Sequence, residues 1–395
     1  MKTADRLESL QLSKIRMLSA KVAEMQAQGK EMHMFTLGQP DFPTPSYISE
    51  ACKKAIDDGY TTYPDYSGTP AFRQAVCDKY ERENGLKFDE QQVISTCGAA
   101  QAAYLVLTSF LNPGDEVLIP NPMYNIYEKI AEICGAAVKT YALKEENDFQ
   151  IDLAELEKLI TPKTKMMVIC SPNNPIGGIL TKETLEGVAD VVKDKNLLIC
   201  SDEIYDRLVY DGVEAVSPAK FDTMRDKTII INGFSKAFAM TGWRIGYVIT
   251  PSEFFEPLYL HTGHQVSGMA DFILEACTVA LNDEHKYGAV EAMRSEFDER
   301  RRYIYREINS MKHFSCLNPT GAFYIFMNIR KTGMTSDEFC DWLVKNYDVA
   351  VITGSCFGTE GEGFARISYA SSMENIKKAM TRLHEADKKL TEMGR

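Results

Sequence analysis

Residues 166–177 read Met166-Met167-Val168-Ile169-Cys170-Ser171-Pro172-Asn173-Asn174-Pro175-Ile176-Gly177. An apolar run gives way at once to small, polar and turn-forming residues. Two later runs repeat this arrangement. Leu197–Cys200 leads into Ser201-Asp202-Glu203-Ile204-Tyr205, and Thr228–Ile231 leads into Asn232-Gly233-Phe234-Ser235-Lys236. The runs lie about thirty residues apart, the length of a strand–helix–strand unit. Between the first two, Leu185, Val188, Ala189 and Val192 follow i, i+3, i+4, i+7 spacing, with Thr181 placed as N-cap. Upstream, Asp152 and Glu155 predict a capped helix start ahead of Leu156 and Ile160. Fully apolar strands alternating with helices predict a parallel sheet covered on both faces. Gln92–Ser95, Glu116–Ile119 and Ala137–Leu143 are earlier strand candidates.

Working outward, the C-terminal third has a different rhythm. It predicts one long helix over Lys286–Met311, strands over Ala322–Ile329, Val349–Ile352 and Phe364–Tyr369, and helices over Ser336–Asn346 and from Met373 on. This grouping suggests a smaller α/β domain. The expected division is an N-terminal arm with part of the small domain over 1–45, a large domain over 46–285 and a small C-terminal domain over 286–395. Pro40–Pro45 reads as the crossing from arm to main sheet. Arg300, Arg301 and Arg302 read as a solvated helix face. Gly354, Gly358, Gly361 and Gly363 match no nucleotide-loop pattern and read as a turn-rich loop.

Composition excludes several classes. The chain has 395 residues, 44 Lys plus Arg against 56 Asp plus Glu, and a net charge of −12. At 45% apolar and 25% charged it is a folded chain, neither disordered nor fibrous. The acidic balance argues against nucleic-acid or anionic-membrane partners. No apolar run approaches the roughly 18 residues of a membrane span, and no apolar segment follows the charged N-terminus, so no secretory signal is expected. Ten scattered cysteines without a C-x-x-C pair suggest reduced thiols in a cytoplasmic protein. Six histidines show no ligand spacing, so no metal site is expected.

Ligands of open parallel sheets bind at the carboxyl ends of strands. There the three runs present an amide (Asn174), a carboxylate with a phenol (Asp202, Tyr205) and an amine (Lys236), and Arg244 follows eight residues later. This set suits pyridoxal phosphate, which needs an amine for a Schiff base, a carboxylate at its ring nitrogen, a donor to its phenolic oxygen and a cation at its phosphate. Ser95-Thr96-Cys97-Gly98-Ala99-Ala100-Gln101 joins a strand to a helical pattern, where free N–H groups can hold an anion. In Phe364-Ala365-Arg366-Ile367-Ser368-Tyr369, alternation sets Arg366 opposite the apolar face. A guanidinium in a strand needs a partner, and a carboxylate fits it bidentately.

The chain resembles the class I/II aminotransferases, the aspartate-aminotransferase-like fold type I of pyridoxal-phosphate enzymes. The resemblance runs from about Leu12 to the final helix. It is carried by Gly38-Gln39-Pro40-Asp41-Phe42, Ser171-Pro172-Asn173-Asn174-Pro175, Ser201-Asp202-Glu203-Ile204-Tyr205 and Ser235-Lys236-Ala237-Phe238-Ala239-Met240-Thr241-Gly242-Trp243-Arg244-Ile245-Gly246, in the family's order. It implies an α/β fold, with a mostly parallel sheet between helices and a smaller α/β domain. It implies transfer of an amino group between an L-amino acid and a 2-oxo acid, by a ping-pong mechanism through a Lys236 aldimine. Asp202 would pair with the ring nitrogen, Tyr205 and Asn174 with O3′, and Tyr124 would stack on the ring. Arg244 and the amides of Gly98, Ala99 and Ala100 would hold the phosphate. Tyr63, in Thr61-Thr62-Tyr63-Pro64, would reach it from the other subunit of a homodimer. Gly38, Asn174 and Arg366 would contact substrate.

Three positions depart from the family. Tyr124 stands where aspartate-type relatives often carry Trp. Gly233 stands where many relatives carry a phosphate-binding Ser or Thr, with Ser235 as the replacement. Ala100 stands where some acidic-substrate relatives carry Lys, which implies a neutral or aromatic donor. A carbon–sulfur β-lyase on the same fold is the alternative. A start near Leu12 would leave no room for a preceding DNA-binding domain.

Overall fold

The computed structural model describes residues 2–7, 18, 22, 24, 25, 27 and 29–394, with backbone alone at 284, 285 and 287. The expected start near Leu12 lies outside the described residues, as does much of the 1–45 arm. In chain order the strands are β1 (His33–Met34), β2 (Val93–Thr96), β3 (Glu116–Asn121), β4 (Ala137–Ala142), β5 (Thr164–Cys170), β6 (Leu198–Asp202) and β7 (Thr228–Gly233). They continue with β8 (Gly246–Ile249), β9 (Tyr324–Asn328), β10 (Val349–Ala350), β11 (Ile352–Thr353) and β12 (Phe364–Ser368).

Seven strands form the large sheet, in the order β2-β8-β7-β6-β5-β3-β4. All run parallel except β8, which pairs antiparallel with both neighbours. Alternation along β5 explains the two covered faces. Met166, Val168 and Cys170 pack with Ala102, Leu105 and Val106 of the helix Gly98–Phe110. Met167 and Ile169 pack on the other face with Leu185, Val188 and Val192 of the helix Lys182–Val192. Thr181 caps that helix, its Oγ1 accepting from the Thr184 N–H at 3.1 Å. Asp152 likewise accepts from the N–H groups of Ala154 and Glu155.

A second layer holds the antiparallel sheet β11-β12-β9 and the short parallel pair β1-β10. Its core joins Ile304 and Ile308 of the helix Ala289–Asn309, Leu343 of Ser336–Tyr347, and Ile376 and Leu383 of Met373–Glu392. Among the described residues no helix is long and apolar enough to cross a membrane.

Two expectations need correction, while the helix expected over Lys286–Met311 is found as Ala289–Asn309, its start set where Gly288 turns to φ +58. A left-handed residue cannot continue a right-handed helix, and glycine takes that conformation freely. The strand expected over Val349–Ile352 splits between two sheets. Arg300 and Arg301 are buried rather than solvated, and only Arg302 lies in solvent. Arg300 Nη1 bonds both Asp41 carboxylate oxygens at 2.7 and 2.9 Å. Arg301 takes Asp211 bidentately at 2.7 and 2.8 Å. Helical periodicity records exposure only on average, and a charge with fixed partners can turn inward.

Candidate active site

The carboxyl ends of β5, β6 and β7 open on one cavity of about 450 Å³. Because β8 runs backwards, its start lies at the same sheet edge where β7 ends. One β7–β8 hairpin thus delivers Lys236 after its first strand and Arg244 before its second. The end of β2 brings the helix Gly98–Phe110 to that edge too.

Gly38, Ala99, Ala100, Tyr124, Asn174, Asp202, Tyr205, Ser235, Lys236, Arg244 and Arg366 all line this cavity. Gly98 lies against the Arg244 guanidinium, where a Cβ would come within 2.7 Å of Nη2. Tyr63 stands apart. It is 95% exposed and borders a separate surface hollow with Tyr60, Val266 and Phe272. Among the described residues no group of three or more His, Cys, Asp or Glu could hold a metal ion.

Lys236 Nζ donates to the Gly38 carbonyl at 2.5 Å and makes no ion pair among the described residues. Burial lowers its pKa to about 8; Arg366 and Arg244 push the same way, and Asp202 opposes them. Burial raises the pKa of Asp202. Its carboxylate accepts from the Tyr127 hydroxyl at 2.7 Å and the Ile204 N–H at 3.2 Å, which favours the ionised form. Arg366 is 2% exposed. It donates to Asn174 Oδ1 at 3.0 Å and the Thr36 carbonyl at 2.8 Å, while its Nε has no partner. A buried guanidinium without a carboxylate is a site for an anion.

The other anion site is the start of the helix Gly98–Phe110. No side chain caps it, and Arg244 lies beside it, bonded to the Thr241 and Cys97 carbonyls. Gly246 makes the close approach possible. A Cβ there would lie 2.9 Å from Gly98 C and 3.0 Å from Ala99 N. A side chain at 233 would collide in the same way, 2.9 Å from Gly246 Cα and from the Ile245 carbonyl. The departure at Gly233 therefore has a packing reason. Ser235 lines the cavity and makes no hydrogen bond through its hydroxyl among the described residues.

Sequence reasoning missed Tyr127 and Tyr324, both in the cavity wall. Tyr127 holds Asp202, and the Tyr324 hydroxyl lies 2.8 Å from that of Tyr205. Neither had a signal in the sequence, because each reaches the cavity only through tertiary packing.

An amine of lowered pKa, a buried carboxylate, a phenol and two unpaired guanidinium groups at the edge of a parallel sheet define a class. It is that of enzymes built to hold pyridoxal phosphate, and the donor set and the glycine-lined anion cradle fit that group. Comparison narrows the class. The family profile described as Aminotransferase class I and II matches residues 30–383. The chain belongs to this family and is a pyridoxal-phosphate-dependent aminotransferase of fold type I.

It is 40% identical over 394 residues to an aspartate aminotransferase of Pyrococcus abyssi, covering 99% of this chain and 100% of the relative. It is 41% identical over 394 residues to the aromatic-amino-acid aminotransferase 2 of Thermococcus litoralis, with the same coverage. The solved aromatic aminotransferase of Pyrococcus horikoshii superposes with a TM-score of 0.88 at 39% identity, covering 93% of this chain and 100% of that one. These relatives favour transamination over the β-lyase alternative.

Proposed function

We propose that the enzyme moves the amino group of a neutral or aromatic L-amino acid to a 2-oxo acid, with donor and acceptor using the same cavity in turn. Relatives at equal identity are named for aspartate and for aromatic donors, so identity alone does not choose between them. The cations carry the choice. Among the described residues, Lys236, Arg244 and Arg366 are the only Lys or Arg side chains lining the cavity. Their roles in this reading are the cofactor carbonyl, the phosphate and the substrate α-carboxylate. Among the described residues of this chain, none of these cations is left for a second substrate carboxylate. Leu37, Met123, Tyr124, Ile126 and Tyr324 give the wall an apolar and aromatic character instead.

When bound, pyridoxal phosphate supplies an electron-withdrawing ring that makes the substrate Cα–H acidic. Lys236 Nζ is the base at that carbon, and a pKa lowered to about 8 gives it a far larger neutral fraction at physiological pH than an ordinary lysine has. Asp202 keeps the ring nitrogen protonated, with Tyr127 fixing the carboxylate. Asn174 accepts from Arg366 through Oδ1, which frees its Nδ2 to donate to O3′ beside Tyr205. Arg366 and the Gly38 backbone receive the α-carboxylate, and Tyr124 stacks on the ring. Arg244, Ser235 and the amides of Gly98, Ala99 and Ala100 hold the phosphate.

Tyr63 of a second copy completes that cradle, making the working unit a homodimer. Its exposed phenol, near exposed Tyr60, Tyr66 and Val266, supports this reading. We further propose the large domain as 46–285, the small one as 286–395 with the 1–45 arm, and a cytoplasmic location.

The test follows the visible band of the cofactor-loaded enzyme against each of the twenty amino acids. Phenylalanine, tyrosine or another neutral donor should bleach it with a specificity constant about tenfold or more above that of aspartate and glutamate. A preference for either acidic donor overturns the substrate class.

A further inference from the structure

The cavity wall contains a pair of buried phenols whose hydrogens do not balance. Tyr205 follows β6 and Tyr324 opens β9, so the pair bridges the two layers of the molecule. The hydroxyl oxygens lie 2.8 Å apart, and the rings cross at 80° with centroids 5.8 Å apart. Two hydroxyls carry two hydrogens, and their mutual bond uses one. Neither hydroxyl has another hydrogen-bond partner among the described residues. Burial raises both pKa values, so both phenols stay protonated. One hydrogen is left over at the edge of a cavity.

A second buried pair shows the balanced arrangement. The Tyr210 and Tyr369 hydroxyls both donate to the Ala322 carbonyl, at 2.6 and 3.1 Å, and neither hydrogen is left over. The cavity pair thus lacks an acceptor that a ligand oxygen would supply.

The surroundings of Tyr324 fix its part. Its hydroxyl fits only because residue 38 is glycine, since a Cβ there would lie 2.9 Å from the oxygen. The Arg366 guanidinium lies 4.6 Å above its ring. We propose that Tyr324 is a positioning residue. Its hydroxyl donates to Tyr205, turning the Tyr205 hydrogen toward the ring oxygen of the cofactor, and its ring is the platform for the guanidinium that receives the substrate carboxylate. This rests on the cofactor roles given above. A hydroxyl that accepts one hydrogen bond donates a stronger one, and a stronger donor stabilises negative charge on the oxygen it faces. The proton release that puts charge on that oxygen then occurs at lower pH.

The experiment titrates the visible band of the loaded enzyme against pH, without substrate, in the wild type, Tyr324→Phe, Tyr205→Phe and the double variant. Tyr324→Phe should move the midpoint upward by about half a pH unit or more, a fraction of one hydrogen bond. It should leave KM within about twofold while kcat falls, because the ring under Arg366 remains. Tyr324→Leu, which removes that ring, should raise KM as well. In the Tyr205→Phe background the second substitution should move the midpoint no further. A midpoint unmoved by Tyr324→Phe, or moved equally without the Tyr205 hydroxyl, overturns the proposal. A wild-type protein that develops no visible band with pyridoxal phosphate overturns the cofactor reading and this inference with it.

Discussion

Two groups of cations sit inside this molecule under opposite conditions. Lys79, Arg300 and Arg301 lie in the packed scaffold, and each has a carboxylate oxygen within 2.7 Å: Asp206, Asp41 and Asp211 respectively. Lys236, Arg244 and Arg366 line the cavity, and none forms an ion pair among the described residues. The scaffold satisfies its own charges, while the cavity leaves its charges to be met by a ligand. An unpaired cation costs the ligand-free protein stability that a bound anion returns.

The strongest challenge to this contrast is Arg301→Met. It removes the buried guanidinium and leaves Asp211 and Asp298 to Arg302 and Asn318, and chemical denaturation should show a loss of about 3 kcal/mol. A loss under about 1 kcal/mol would make the scaffold pairs no different from surface pairs. Arg366→Met should do the reverse. It lowers kcat/KM for the amino donor by about a hundredfold, through the lost charge-assisted bonds to carboxylate. The same variant should keep the unfolding free energy of the cofactor-free protein within about 1 kcal/mol of wild type, because no carboxylate is stranded.

The smallest effect is the most diagnostic. Lys236 holds its proton less tightly folded, at about 8, than its ordinary 10.5. Below pH 8 both states carry the proton and the folded state bears the full cost. Between these values the folded state loses the proton first, and stability rises with pH. Lys236→Met should therefore stabilise the cofactor-free protein at pH 7 by about 2 kcal/mol, less than the whole shift because the amine still faces the open cavity. The advantage should fade as pH approaches 10.5. A constant advantage across that range would mean that packing, not charge, is the cause.

Much of this was legible in the sequence, and the limits have physical causes. Asn174, Asp202, Tyr205 and Lys236 could be read because each closely follows an apolar run, and in a parallel sheet such runs end at one edge. Tyr127 and Tyr324 could not, being two of 19 tyrosines that reach the cavity only through tertiary packing. Arg300 and Arg301 were misread because Asp41 and Asp211 lie 259 and 90 residues away along the chain. Strand β8 has only four residues and follows a long connection from β7, so no short turn announces the hairpin.

That hairpin bears on how such a site can be inherited or transplanted. Lys236 and Arg244, the proposed amine and phosphate cation, belong to one continuous stretch, held in register by the β7–β8 ladder from Ile230↔Ile249 to Gly233↔Gly246. Their separation is set by backbone hydrogen bonds and not by how the layers of the molecule meet. Residues 228–249 are thus the portable part of the machinery. Gly38 and Arg366, proposed above to receive substrate, lie near the two ends of the chain, so that side of the site is assembled only when both ends fold onto this hairpin.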